Sequence, residues 1–150
     1  MSFVPYRQSD EWPPVIAARL RLSDLLCTRS VEIWGKIDTG AFMTAVPRRV
    51  LEALGASRSF RRVRCKGYDG ASAEWPVYLV DLQVVDLRWP PEVETRFETI
   101  EVMGVGPAAP QAGDAEVASG ATDAHVLLGR DVLAAWRLHL DGPQSRYSVE

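Results

Sequence analysis

The chain has 150 residues, 47% hydrophobic and 25% charged, which is the composition of one soluble globular domain able to bury a core without staples. A net charge of −3 and a pI near 5.4 give no basic field for nucleic acid or an anionic membrane, and no apolar run reaches membrane-spanning length. Two cysteines, Cys27 and Cys65, and two histidines, His125 and His139, argue against a disulfide framework and a tetrahedral metal site, so no cofactor is expected; free thiols fit a reducing cytoplasm.

Residues 1–13 lack a basic stretch leading into an apolar one and read as an N-terminal extension, not a signal peptide. The domain is expected over 14–150. After Pro13-Pro14, which bars a helix from upstream, Val15 to Leu22 alternates and predicts a strand. Val31 to Ile37 alternates more cleanly and runs into Asp38-Thr39-Gly40-Ala41. Pro47 then sits where helices begin, and Gly55 closes RRVLEALG as a C-cap, which predicts one short helix. Phe60–Lys66 and Glu74–Val84 flank a turn at Gly67-Tyr68-Asp69-Gly70 and predict a long hairpin. Arg58, Arg61, Arg62 and Arg64 cluster there, as an exposed strand face would.

A further strand is expected over Arg96–Met103. Residues 104–123, rich in Gly, Pro and Ala, read as a long mobile loop. Val126 to Trp136 gives a short apolar strand, a glycine turn at Gly129 and a short helix. The end of the chain reads as a hairpin bending at Asp141-Gly142-Pro143. These elements make a mostly β protein, a closed or nearly closed barrel with one or two short helices.

A strand that ends on a carboxylate, a hydroxyl and a glycine admits two readings. Asp and Gly are ordinary turn formers, so Asp38 can be a turn residue. It is also flanked on both sides by apolar sequence that would hold its backbone rigidly, and Ala41 permits close approach of another chain, which suits a positioned acid.

Asp38-Thr39-Gly40-Ala41, with Thr44 three residues on, resembles the active-site turn of the retropepsin-like, retroviral-type aspartic proteases. Leu127-Leu128-Gly129-Arg130-Asp131-Val132-Leu133 resembles the second motif of that family, in the right order. The hairpin with Gly67 and Gly70 stands where the family carries its flap. The resemblance implies an acid-protease type of closed β-barrel and hydrolysis of peptide bonds.

Such hydrolysis needs one carboxylate to take a proton from water while a second carboxylic acid protonates the carbonyl oxygen. Carboxyls that close share one proton and titrate as a pair. The other Asp-Gly pairs, Asp69-Gly70 and Asp141-Gly142, lack the threonine and the preceding apolar strand, so one chain offers half of the pair. A homodimer with two copies of Asp38 across its axis completes it. On this reading Asp38, Thr39 and Gly40 form the catalytic turn, Thr39 bracing it across the axis. Ala41 and the tip residues Gly67, Tyr68, Asp69 and Gly70 bind an extended protein or peptide substrate.

Three departures from the family pattern bear on function. Phe42 and Met43 stand where the family often has acidic residues, which leaves Arg130 either paired elsewhere or at the surface. Phe42 and Met43 themselves suit an apolar pocket wall or the core. The hairpin tip is also more polar than family flaps tend to be. Trp75 suits either substrate contact or cross-strand packing, and Trp136 with Tyr147 either a dimer seam or burial. A serine triad is disfavoured, because no Gly-x-Ser-x-Gly turn exists. The alternative to an enzyme is a catalytically silent module of the same fold that dimerises or binds peptide.

Overall fold

The computed structural model describes residues 4–5, 15–23, 29–67, 69–84, 97–106, 125–144 and 146–149. The chain runs through β1 (Val4–Pro5), β2 (Val15–Leu22), β3 (Ser30–Ile37), β4 (Ala45–Pro47), α1 (Arg48–Ala53), β5 (Arg61–Lys66), β6 (Ser72–Val84), β7 (Glu98–Val105), β8 (His125–Leu128), α2 (Arg130–Leu133), β9 (Leu138–Asp141) and β10 (Arg146–Val149). Among the described residues no helix is long and apolar enough to cross a membrane.

The large sheet runs β2-β3-β8-β4-β7-β6-β5, and β6 also pairs with β2, so the six strands from β2 to β6 close into a barrel while β5 hangs outside. The expected mostly β, closed-barrel architecture with two short helices and a hairpin is therefore observed. Most neighbours are antiparallel, but β3 runs parallel to β8 and β4 parallel to β7. A smaller sheet, β1-β10-β9, gathers the two ends of the chain.

Alternation decides what lies inside. Ile16, Ala18 and Leu20 of β2, Tyr78, Val80 and Leu82 of β6, Val102 of β7, and Val126 and Leu128 of β8 meet Val46, the α1 residues Val50 and Leu51, and Leu54 just past the helix in one core. Each such fully buried Leu or Val contributes roughly 1.5–3 kcal/mol. The intervening residues of β2 face outward and pair across strands, Arg19 with Glu32 at 2.7 Å and Arg21 with Asp81 at 3.0 Å.

Around β4 the opposite parity of β4, β6, β7 and β8 is apolar as well. Ala45, Val77 and Met103 lie with Met43 in a second cluster, against which Val63, Cys65, Trp75, Val105 and Leu127 pack. The β5–β6 hairpin makes that second burial possible. Residues 72–77 of β6 pair with β5, and 77–82 pair with β7. In a flat sheet Cys65, opposite Ala73, would lie four residues, or about 13 Å, beyond the Val77–Met103 pair. Instead Cys65 Sγ and Met103 Sδ are 3.2 Å apart, so the hairpin curls back over the barrel wall.

Several boundaries differ from expectation. The strand expected over Arg96–Met103 lies at Glu98–Val105, so the first two residues assigned to the 104–123 loop are sheet. The remainder of that loop beyond Gly106 falls outside the described residues, as do Cys27 and Tyr68. Ala45–Pro47 forms a strand too short for its alternation to show in sequence. The helix after Pro47 is present, and Gly55 follows it at φ 98°, with Gly55 N–H bonded to Glu52 O and Ala56 N–H to Leu51 O. Trp136 packs against the barrel core and Trp75 against the second cluster, the packing alternative for each.

Candidate active site

Asp38 is the first residue past β3, whose parallel partner β8 ends beside it: Asp38 N–H donates to Leu128 O at 3.1 Å. The chain then turns tightly. Asp38 Oδ1 accepts Gly40 N–H at 3.0 Å and Ala41 N–H at 3.2 Å, and Ala41 N–H is shared with Asp38 O at 3.2 Å. This is the local bonding by which Asp supports a turn. A Cβ at Gly40 would stand 3.2 Å from Asp38 Oδ1, so the glycine leaves the carboxylate its room. Oδ2 takes no donor among the described residues. Asp38 is half-buried, and Thr39 and Gly40 are exposed.

Side chains and backbone distant in sequence brace the turn. Arg130 N–H, at the start of α2, donates to Ala41 O at 2.9 Å. Thr44, fully buried, donates its hydroxyl to Asp131 Oδ1 at 2.8 Å and its N–H to Asp131 Oδ2 at 2.9 Å. Gly129 N–H donates to the same Thr44 hydroxyl at 3.1 Å, and Val132 N–H to Asp131 Oδ1 at 3.0 Å. Gly129 must be a glycine here, because a Cβ would come within 2.5 Å of the Met43 carbonyl carbon. Thr44 and Asp131 both stand in the motifs quoted from the sequence, but no sequence signal tied them to each other. Their link appears only once β8 lies against the turn.

Asp38, Thr39, Gly40 and Ala41 are thus brought together as one rigid turn. Gly67, Asp69 and Gly70 are exposed at the hairpin tip, where Gly67 N–H bonds Ala71 O at 2.7 Å and Ala71 N–H bonds Asp69 Oδ1 at 2.9 Å. No described hydrogen bond joins tip to turn. The two regions meet through the second apolar cluster, to which Met43 and Ala45 contribute from the turn side and Val63, Cys65 and Trp75 from the hairpin. Burial there pushes the Cys65 thiol above its usual range.

Of the two residues after Ala41, Met43 is buried and Phe42 is 49% exposed, so only Met43 joins an apolar wall. The Arg130 side chain is exposed, with no ion pair among the described residues. His139 is exposed on β9, and His125 lies in β8. Among the described residues no three His, Cys, Asp or Glu side chains gather as a metal site.

No protein-family model matches the chain, and no curated protein matches it in sequence. Among solved structures, the solution structure of the simian foamy virus (mac) protease is similar, at 18% identity and a TM-score of 0.46, over 80% of this chain and 91% of that one. The barrel described above rests on this chain's own strand pairing.

Proposed function

We propose that two copies of this chain form an aspartic endopeptidase. The observation that supports this is the geometry of Asp38: one carboxylate oxygen is fixed by two backbone N–H groups while the other is left open, on a turn locked to two other elements. A preorganised acid of this kind suits proton transfer at a reacting group. One Asp38 takes a proton from water, whose oxygen adds to the peptide carbonyl carbon. The Asp38 of the partner subunit gives its proton to the carbonyl oxygen. The resulting gem-diol collapses as the C–N bond breaks: the leaving nitrogen takes the proton that the first Asp38 accepted, and one diol hydroxyl returns a proton to the Asp38 of the partner subunit. Thr39 and Gly40 hold the turn, and Ala41 with the hairpin tip (Gly67, Tyr68, Asp69 and Gly70) grips an extended substrate.

The test is turnover of a quenched-fluorescent peptide library alongside sedimentation of the same sample. Asp38→Asn is expected to abolish cleavage, on the order of a thousandfold or more, while the fold is retained. Cleavage that survives in Asp38→Asn, or that persists in a strictly monomeric sample, overturns the reading. The second reading, a silent dimerisation or peptide-binding module, draws on Phe42, an exposed apolar side chain beside the turn. Turnover that depends on Asp38 excludes it.

A further inference from the structure

The catalytic reading leaves one motif unused. Residues 58–66 carry Arg58, Arg61, Arg62, Arg64 and Lys66 and no acid, in a chain whose net charge is −3. The structure gathers most of them onto β5, the strand outside the barrel, which among the described residues pairs with β6 alone.

The register shows which way each residue of β5 points. Gly67 N–H bonds Ala71 O, so Gly67 and Ala71 form a bonded pair, and bonded pairs alternate along an antiparallel ladder. Cys65, Val63 and Arg61 therefore turn their N–H and C=O toward β6. Arg62, Arg64 and Lys66 turn theirs outward, where no strand among the described residues meets them. The side chains sort in the same way. Val63 and Cys65 pack into the second apolar cluster, and Arg61 reaches Glu101 on β7. Arg62, Arg64 and Lys66 are exposed.

One carboxylate serves this row: Glu74 lies 3.6 Å from Arg62 and 3.1 Å from Arg64. No described carboxylate pairs with Lys66 or with Arg58. The exposed Glu74 pairs are weak and exchangeable. Charges on an edge strand normally keep it from pairing with other chains. Here all carry one sign, so the edge repels a second copy of itself and favours an acidic strand.

The geometry points to β5 as a docking edge for an extended acidic peptide of another protein, which adds as a strand beside Arg62, Arg64 and Lys66. The cations recur every second residue, about 6.8 Å apart, so they match acids at alternate positions of the incoming strand. The open N–H and C=O groups call for a peptide backbone and not for a nucleic acid. This surface is separate from the Asp38 turn and stands whether or not the chain is a protease.

The test uses the whole chain carrying Asp38→Asn, so that no probe is cut, and a fluorescein-labelled peptide of four Thr-Glu repeats read by anisotropy. Controls are a peptide of the same composition in two blocks, four Thr then four Glu, and single-stranded oligo-dT. The repeat peptide is expected to bind, to weaken with salt, and to bind on the order of tenfold or more weakly to the Arg62→Glu/Arg64→Glu chain. Arg64→Pro removes an outward N–H while sparing the bonds to β6, and is expected to weaken binding further than Arg64→Gln. Equal binding of block peptide or oligo-dT, equal effects of Arg64→Pro and Arg64→Gln, or no binding of the repeat peptide overturns the proposal. Should Arg64→Pro fail to fold, the contrast between repeat and block peptides decides alone.

Discussion

The Asp38 turn and the β5–β6 hairpin tip are both short Asp- and Gly-containing reversals, yet opposite forces hold them. The turn is tied to residues 85 and 87 positions away, through Gly129 and Asp131 onto Thr44, with the buried Thr44 hydroxyl at the centre. The tip is closed by bonds within five residues, and the ion pairs behind it are exposed. Long-range buried bonds fix a position, whereas local exposed ones leave an element free to adjust. On that ground the Asp38 turn is the stiffer of the two reversals and the hairpin tip the more compliant.

The comparison can be broken most severely at the stiff end. Gly129→Ala drives a methyl into the Met43 backbone and is expected to destabilise the fold by about 3 kcal/mol or more, read from urea unfolding. Thr44→Val keeps the shape but strands Gly129 N–H and takes one of its two donors from Asp131 Oδ1, for an expected loss of roughly 2 kcal/mol and faster amide exchange at Gly40 and Ala41.

Asp81, on the barrel wall between these extremes, should show a smaller, pH-dependent effect. Burial raises its carboxyl, but the Thr99 hydroxyl, Arg21 and Ser23 outweigh that and hold it below the ordinary carboxylate range. A lowered folded-state value means its stabilisation is complete above the unfolded-state value, near pH 4, and is lost as pH falls through the folded one. Stability is expected to drop by about 1 kcal/mol or less across that window, since Arg21 is 41% exposed. The measurement is urea unfolding from about pH 5 to pH 2, in which Asp81→Asn should flatten the drop. At the compliant end, Glu74→Gln is expected to change stability by under about 0.5 kcal/mol in the same assay, because its arginines are solvated.

The barrel strands were legible because alternation and turn chemistry are local: β2, β3 and the hairpin strands lie within two residues of expectation. The Asp38 turn was legible for the same reason. What stayed hidden was non-local. β4 is three residues long and exists through β7 and β8. The Thr44–Asp131 bond needs β8 beside the turn, and Met43 reads the same in sequence whether buried or lining a pocket. The sequence leaves Arg130 open between pairing and surface, and its exposed side chain answers that; its backbone N–H on Ala41 O has no sequence signature.

Only one residue pair, Ala45 with Leu127, joins β4 to β8, so at that point the wall is stitched by Thr44, Gly129 and Asp131 in place of a ladder. Closure of the cylinder and placement of the Asp38 turn thus depend on one set of buried bonds. A substitution that loosens the seam would shift the carboxylate as well, so the two cannot be tuned separately.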